Sequence, residues 1–307
     1  MRNARIALAQ IAPRLGDPDA NADLHVEFVE RARGEGADVV VFPELSLTGY
    51  VLRDQVAELA QPAGAVGPLG RVIDACRGVD AVVGFVEESA GHRFHNAAAW
   101  ISDGAIVHVH RKLYLPTYGL FEEGRDFAAG ETIRAFDTAL GRVGILICED
   151  AWHPTTAWIL AHDGADVLIV VSSGPMRGAR EGRGVTSVAM WRNLARFTAE
   201  FQTAFVAYVN RVGFEDGLGF GGGSVAFDPF GRAIAELPPV ESGLTVATLD
   251  VEVVRRARTA YPLRRDARID LVHRELTRLR GERYGIPWLD RARPAPPASR
   301  PRGRRRP

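Results

Sequence analysis

Short, continuously apolar segments recur through the first 250 residues of this 307-residue chain, and they constrain its fold more than any other feature. A strand that is apolar at successive positions has to be buried on both faces, as in a sheet that other layers cover on each side. These segments alternate with helical stretches and turns. Buried strands are predicted at Ala4–Ile11, Asp38–Phe42, Ala81–Val86, Arg142–Ile147 and Asp166–Val171.

Two of the intervening segments have the periodicity of helices. One helix is predicted over Asp19–Arg33 and another over Gly184–Gln202. In the second helix, large apolar residues recur at spacings of four, three and four, so that they line one helix face. These residues are Met190, Leu194, Phe197 and Phe201.

Two other segments have the pattern of β-hairpins. Asn96–Lys112 reads as two strands joined by Ser-Asp-Gly, which is a good tight-turn sequence. A second hairpin is predicted from Ser224–Phe227 and Arg232–Glu236, with Asp-Pro-Phe-Gly at the turn. Hairpins and buried strands flanked by helices indicate an α/β or α+β layered sandwich.

The composition is ordinary for a soluble globular protein, with 46% hydrophobic and 25% charged residues. Cys76 and Cys148 stand in unrelated contexts, which fits a reducing cytoplasm better than a disulfide scaffold. The first apolar run is shorter than a signal peptide requires, and no run approaches the roughly 18 apolar residues of a membrane helix. We therefore expect a soluble, cytoplasmic protein that has no membrane partner.

The charge is unevenly distributed, although the formal net charge is zero. Residues 291–307 contain seven arginines, five prolines and no acidic residue, which leaves the rest of the chain near minus seven. Such a segment is too polar and proline-rich to pack, so a disordered tail is predicted after a single domain at residues 1–290. We expect a solvated extension with no specific role rather than an arm that binds nucleic acid.

Three predicted strands end at a side chain that can do chemistry. Glu44 follows VVVF and a proline, Lys112 ends the first hairpin, and Cys148 ends GILI. Catalytic groups tend to lie at strand ends in layered α/β folds, where loops form a pocket on a rigid scaffold. Taken singly, each has a plainer interpretation: a helix-capping glutamate, a surface lysine, or a cysteine that acts as a small buried hydrophobe.

Taken together, the three side chains suggest one catalytic design. A thiol with the ordinary pKa of about 8.5 is only slightly ionised at neutral pH, so a nucleophilic cysteine needs a base. A buried carboxylate such as Glu44 can act as this base. The ammonium of Lys112 can balance the charge of that carboxylate and stabilise the oxyanion of a tetrahedral intermediate.

Three segments resemble the signature blocks of the nitrilase superfamily of carbon–nitrogen hydrolases: FPEL…TGY, HRKLYLPTYG and CEDAWHP. Their reactive residues are separated by 68 and then 36 positions. The resemblance covers about residues 4–255. It implies that Glu44, Lys112 and Cys148 form the Glu–Lys–Cys triad of that family and that Glu123 is its second glutamate. It also implies a four-layer αββα sandwich, and dimers that pair to extend the sandwich.

The reaction that the resemblance implies is a double displacement through a thioester, and it needs no cofactor. Lys112 and the backbone N–H of Glu149 would stabilise the oxyanion, and Glu123 would help to position the amide. His108 and His110 share one strand face, but no third metal ligand is sensibly spaced nearby, so a metal site is not expected. The expected substrate-binding residues are Tyr118, Glu149, Trp152 and Ser173.

The segments KLYLPTYGLFEE and CEDAW look most like the glutaminase domains attached to NAD synthetases, which carry a tyrosine at the position of Tyr118. Those domains typically read Asn-Ala-Ser-Pro after the next strand, and the serine contacts glutamine. Here Gly174 stands at the serine position, and the sequence ends without a synthetase domain. We therefore expect a stand-alone amidase that acts on a small linear amide.

Four alternatives remain open. They are a glutaminase, a nitrilase, an acyl transferase that uses an amine, and an inactive scaffold with the same fold. Nitrilases place a tryptophan directly after the cysteine, where this chain has Glu149.

Overall fold

The computed structural model describes residues 3–180 and 184–284, and of the side chains at 179, 180 and 284 nothing is stated. Within these residues the chain separates into one unit that ends at Arg264 and a second that begins at Arg265. The second unit contains helix α8, Ile269–Tyr284. The first unit contains the sheets and the other helices.

The strands are β1 Ala4–Gln10, β2 Val39–Val41, β3 Asp80–Ser89, β4 Arg93–Ser102, β5 Ala105–Arg111, β6 Phe136–Thr138, β7 Gly141–Ile147, β8 Val167–Ser172, β9 Ala179–Arg180, β10 Gly184–Val185, β11 Phe205–Asn210, β12 Val212–Glu215, β13 Leu218–Gly221, β14 Val225–Phe227, β15 Ala233–Glu236 and β16 Gly243–Leu249. The other helices are α1 Pro18–Gly34, α2 Val56–Leu59, α3 Gly67–Ala75, α4 Glu123–Asp126, α5 Pro154–His162, α6 Thr186–Gln202 and α7 Val251–Ala260, with 3-10 turns at Arg53–Gln55 and Cys148–Trp152.

Two six-stranded sheets form the centre of the first unit. Their strand orders are β16-β1-β2-β3-β4-β5 and β15-β14-β11-β8-β7-β6. The middle strands run parallel, β1 with β2 and β3 in the first sheet and β7 with β8 and β11 in the second. The loops after these parallel strands open at the same sheet edge, which is where catalytic side chains can meet.

The two sheets pack face to face, since β1 contacts β11 and both β4 and β5 contact β7. Helices α1 and α3 cover the outer face of the first sheet, and α5 and α6 cover the second. Helix α1 begins where the Asp17 side chain accepts a hydrogen bond from the backbone of Ala20, which satisfies one of the free N–H groups of the first turn. The architecture is the predicted four-layer αββα sandwich.

Successive residues of one strand enter different cores, as the continuous apolar runs predicted. In β1, Ile6 and Leu8 belong to the core between the sheets, whereas Ala7 and Ala9 belong to the core beneath α1 and α3. A strand covered on both sides has no face that can be polar. The predicted hairpins are also present, and Asp103 and Gly104 both have a positive φ at the first turn.

The apolar face predicted for α6 is wrong for three of its four residues, and only Leu194 packs against the core. Met190, Phe197 and Phe201 are 49%, 48% and 53% exposed, whereas Trp191 and Ala199 are buried against the second sheet. Small residues such as alanine allow the inward face of a helix to lie close to a sheet. The larger residues on another face of the same helix recur with the same helical period. Periodicity alone therefore could not choose between the two faces.

The predicted boundary at residue 290 and the arginine-rich tail fall outside the described residues, and they stay predictions. In the part of the chain that the structure describes, no helix is long and apolar enough to cross a membrane.

Candidate active site

Glu44 lies in the loop that follows β2 and is fully buried. Its Oε1 accepts hydrogen bonds from Asn96 Nδ2 at 2.8 Å and from Lys112 Nζ at 2.7 Å. Its Oε2 accepts from the backbone N–H of Ser173 at 2.7 Å. The loop fits against β3 because that strand has Gly84 here, where a Cβ would collide with the backbone of the Glu44 loop. The carboxylate is therefore held from both of its oxygens.

Lys112 follows β5 and has no exposed surface. Its Nζ donates to Glu44 Oε1 at 2.7 Å and to Glu123 Oε1 at 2.6 Å. Burial lowers the pKa of this ammonium, but the carboxylates of Glu44 and Glu123 outweigh burial and raise the pKa well above its ordinary value. Lys112 is therefore a fixed positive charge, and we call Glu44, Lys112 and Glu123 the charged cluster.

Glu123 is the first residue of α4, and only one of its carboxyl oxygens is bonded. Oε1 accepts from Lys112 Nζ and from the Tyr50 hydroxyl, both at 2.6 Å, whereas Oε2 is buried and without a partner among the described residues. Burial raises the pKa of Glu123 to about 7, although Lys112 acts to lower it. Near neutral pH this carboxyl holds a proton part of the time, so Oε2 can donate to a bound amide.

Cys148 begins the 3-10 turn at the end of β7, with φ at 45° in the left-handed region that non-glycine residues rarely adopt. Ser172 Oγ donates to its Sγ at 3.4 Å. Burial, followed by the charge of Glu44, raises the pKa of the thiol well above its ordinary value, and Lys112 offsets this only in part. The resting group is therefore a thiol, and attack on a carbonyl requires a base at that moment.

Neighbouring residues at the end of β8 join the thiol to the charged cluster. Ser172 bonds Cys148 Sγ, and the backbone of Ser173 bonds Glu44. The hydroxyl of Ser173 donates to the backbone carbonyl of Glu44 at 2.8 Å, so this predicted substrate-binding residue supports the glutamate loop. The structure thus brings the four predicted catalytic side chains together.

Asp150 connects the two catalytic loops, and the sequence did not reveal this role. Its Oδ1 accepts from the backbone N–H groups of Leu113 and Tyr114 at 2.9 and 3.0 Å. Its Oδ2 accepts from the backbone of Ile147 at 3.0 Å and bonds His110 Nε2 at 2.9 Å. The loop after Lys112 is therefore tied to the loop of Cys148. The only sequence signal was an acidic residue two positions after the cysteine.

The remaining predicted substrate-binding residues are all more exposed than Cys148. Tyr118 is 58% exposed, and its hydroxyl donates to the carboxylate of Glu149 at 3.0 Å. Trp152 is 39% exposed and meets Trp191 edge to face at 5.2 Å. We call Tyr118, Glu149 and Trp152 the rim.

A cavity of about 680 Å³ lies beside the charged cluster, and Tyr50 and Glu123 form part of its wall.

The other cysteine, Cys76, is fully buried, and burial raises the pKa of its thiol to about 12. Within residues 3–180 and 184–284, no three histidine, cysteine or acidic side chains are grouped to hold a metal ion. His110 is bonded to Asp150, and the ring of His108 stacks on Phe136 at 4.0 Å.

Comparison of the sequence with known proteins identifies the family of this chain. The sequence model of the carbon-nitrogen hydrolases matches residues 5–259. The chain belongs to the carbon-nitrogen hydrolase family. The predicted resemblance and fold are thereby confirmed, while the individual roles of Glu44, Lys112, Glu123 and Cys148 stay predictions.

Two kinds of carbon-nitrogen hydrolase are similar to this chain. A glutamine-dependent NAD(+) synthetase of Thermotoga maritima is 32% identical over 86% of this chain and 45% of its own length, so the chain spans about half of that relative. An (R)-stereoselective amidase of a Pseudomonas species is 35% identical over 87% of this chain and 92% of its own length. Among solved structures, the NitN amidase of Nesterenkonia sp. AN1 is 27% identical with a TM-score of 0.73, over 89% of this chain and 99% of its own.

Proposed function

We propose that this carbon-nitrogen hydrolase is a cysteine-dependent amidase that cleaves the amide bond of a small molecule with an uncharged acyl group. The observation that carries the proposal is the buried charged cluster, which Ser172 and Ser173 join to a thiol at a strand end. A buried ammonium placed between two carboxylates suits a reaction in which negative charge develops and a proton moves back and forth.

In the proposed acylation step, Glu44 takes the thiol proton while Cys148 Sγ attacks the amide carbonyl. Lys112 and the backbone N–H of Glu149 stabilise the negative oxygen of the tetrahedral intermediate. Protonated Glu44 then gives its proton to the leaving ammonia or amine as the carbon–nitrogen bond breaks. A thioester on Cys148 remains.

In the proposed deacylation step, water enters the space that the amine has left, and Glu44 takes one of its protons. The hydroxide attacks the thioester carbonyl, the carbon–sulfur bond breaks, and the thiolate recovers a proton from Glu44. Glu123 positions the carbonyl through Oε2, which has no partner among the described residues, since Oε1 is occupied by Lys112 and Tyr50. The enzyme returns to its starting state with the acid released.

The proposed substrate class rests on a residue outside the charged cluster, at position 174. Burial of a charged amino acid such as glutamine needs paired polar groups for its ammonium and its carboxylate. Position 174, where a side-chain contact is expected in glutaminase domains, is a glycine. The amidase of the Pseudomonas species, which aligns over nearly all of its own length, supports an amidase activity.

A second candidate is a glutaminase, and one observation favours it. Glu149 presents a carboxylate at the rim, held by the Tyr118 hydroxyl, and this carboxylate can pair with the ammonium of an amino-acid substrate. Several relatives are glutamine-dependent NAD(+) synthetases, although the chain aligns with less than half of each.

The test is a comparison of kcat/KM for glutamine, for uncharged primary amides and N-acyl amines of similar length, and for matched nitriles. We expect the uncharged amides to be hydrolysed faster than glutamine, because one missing polar contact costs about 1–3 kcal/mol, and nitriles to be slowest. Cys148→Ala is the control and should abolish turnover. Glutamine ahead by about tenfold or more would establish the glutaminase instead.

A further inference from the structure

Gly174 is a glycine for a reason that lies outside its own backbone. Its φ is not in the left-handed region, so the backbone conformation admits any residue. A Cβ built there would lie 2.8 Å from Trp191 Nε1 and 3.2 Å from Ser172 Oγ. The indole of Trp191 therefore fills the space into which a side chain at position 174 would extend.

The backbone at position 174 is held in place and cannot retreat from the indole. The N–H of Gly174 donates to Asn210 Oδ1 at 2.8 Å, and Asn210 Nδ2 donates to the carbonyl of Gly174 at 3.4 Å. Asn210 is itself buried and donates to the carbonyl of Gly222. A larger residue at 174 consequently requires a smaller residue at 191.

The same indole is part of an aromatic wall beside the nucleophile. Trp191 is 6% exposed, stacks on Tyr208 at 5.0 Å, and meets Trp152 of the rim at 5.2 Å. Ser172 lies between this wall and the nucleophile, since its Oγ is 3.2 Å from the Cβ position of residue 174 and donates to Cys148 Sγ. Trp152 belongs to the same 3-10 turn as Cys148. An acyl group attached to Cys148 and directed towards position 174 would therefore lie against Trp191.

We propose that Trp191 is the specificity-determining residue of this site, because its indole replaces a polar side chain at position 174 and selects uncharged acyl groups that pack on an aromatic surface. The inference rests on the proposed amidase function and names its acyl specificity. An apolar acyl group gains buried contact area on the indole. An acyl group that carries charges loses hydration at the same place and finds no side chain at position 174 to replace it.

The first experiment measures kcat/KM for an uncharged aryl-substituted amide and for glutamine in Trp191→Ala, Gly174→Ser and the double variant. In Trp191→Ala the uncharged amide should lose about tenfold or more, and glutamine less than about threefold. The matched control is Trp158→Ala, whose indole lies on α5 and contacts His162, and which should leave the ratio of the two substrates unchanged.

The Gly174→Ser variant separates steric fit from general damage. Alone, its side chain meets the indole, so we expect a lower melting temperature and slower turnover of both substrates. Adding Trp191→Ala should restore most of the lost melting temperature and move the substrate ratio further towards glutamine, because the two positions share one volume. Strictly additive losses in the double variant would overturn the shared-volume argument.

A second readout does not depend on turnover. The rate at which Cys148 is alkylated is measured with a neutral N-aryl iodoacetamide and with iodoacetate. The wild-type protein should prefer the neutral reagent, and Trp191→Ala should reduce that preference by about tenfold. If the preference stays within about twofold in a variant that melts like the wild type, Trp191 has a structural role only and the inference is wrong. If no amide is hydrolysed but the preference falls as expected, the proposed function fails, while Trp191 is still shown to select neutral groups at Cys148.

Discussion

Lys112 is one ammonium facing two carboxylates, Glu44 and Glu123, and all three side chains are buried. One positive charge balances one carboxylate, so full ionisation leaves an extra negative charge with little water around it. The fold therefore favours the protonated form of one acid, and the raised pKa of Glu123, about 7, expresses that preference. This imbalance gives the charged cluster a dependence on pH near neutrality.

Replacement of Glu123 by glutamine should remove that pH dependence. The pKa of Glu123 in the folded protein, about 7, lies above its ordinary value of 4.5, so its contribution to stability is complete below pH 4.5 and is lost as the pH rises through 7. Glutamine cannot ionise. The melting temperature of Glu123→Gln minus that of the wild type should therefore increase from pH 5 to pH 8.

The matched control for this measurement is Glu122→Gln, because the side chain of Glu122 is 75% exposed. Its melting difference should be flat over the same range. A flat or falling difference for Glu123→Gln would mean that the carboxyl is ionised throughout, with Lys112 as its full partner.

The residues that the sequence could predict are those whose neighbours along the chain define their role. Glu44, Lys112 and Cys148 each end a recognisable strand, so their meeting at a sheet edge follows from the layered fold. Asp150 and Trp191 are different, because their partners are distant in sequence: Asp150 binds the backbone after Lys112, and Trp191 fills the space above Gly174. No local pattern contains that information.

At the scale of elements, Asp150 makes the loops after β5 and β7 into one unit. Four hydrogen bonds converge on its two oxygens, and three of the donors are backbone N–H groups. A carboxylate accepts all four, whereas an asparagine side chain has one oxygen and brings an NH₂ group towards N–H donors. The positions of Lys112 and Cys148 therefore depend on a charge that touches neither side chain.

Asp150→Asn should lower both stability and turnover. Hydrogen bonds to a charged group contribute about 1.5–3 kcal/mol each, and we expect a loss of unfolding free energy of at least about 3 kcal/mol. Turnover should fall by about 100-fold, because small displacements of catalytic groups have effects of that size. Denaturant unfolding and kcat/KM for an uncharged amide are the measurements.

Asp163→Asn is the control for the loss of a carboxylate that binds backbone far from the thiol. Asp163 accepts from the backbone of Ala135 and pairs with Arg142 near the surface. It should cost some stability and leave kcat/KM of the folded protein unchanged. Equal effects of the two substitutions on kcat/KM would contradict a specific role for Asp150.

The sequence pattern predicted helix α6 but assigned its buried face incorrectly, and the cause is physical. Strands and hairpins could be predicted because burial on two faces and turn residues leave distinct signatures. Helix α6 has two apolar faces, one with Trp191 and Ala199 and one with Phe197 and Phe201, and only packing decides which lies inward. Choosing the larger stripe also concealed Trp191, which is one residue away from Met190.

At the scale of the whole molecule, the exposed face of α6 is an apolar surface that water does not favour. Met190, Phe197 and Phe201 lie on it, with Ile159 of the adjacent α5 40% exposed. Phe197 and Phe201 stack on each other at 4.1 Å. Apolar patches of this kind mark interaction sites, and the family resemblance implies dimers that extend the sandwich. We propose that a second copy of the chain covers this face.

The double substitution Phe197→Glu and Phe201→Glu should convert the dimer to a monomer, because four glutamates would meet across a two-fold interface. Light scattering after size-exclusion chromatography gives the mass. Phe214→Glu is the control, since Phe214 is 76% exposed on β12 and should leave the mass unchanged. A wild-type protein that is monomeric at micromolar concentration would contradict the proposal.

The left-handed backbone conformation of Cys148 is relevant to whether the chain is an active enzyme or a catalytically inactive protein with the same fold. A non-glycine residue in that conformation costs about 1–3 kcal/mol, which glycine at the same position would largely recover. In a protein kept only for its shape, glycine there would relieve the backbone cost and lose only the packing of a small buried side chain. If Cys148 is the nucleophile, as proposed, turnover is the property that requires a cysteine rather than a glycine in this conformation.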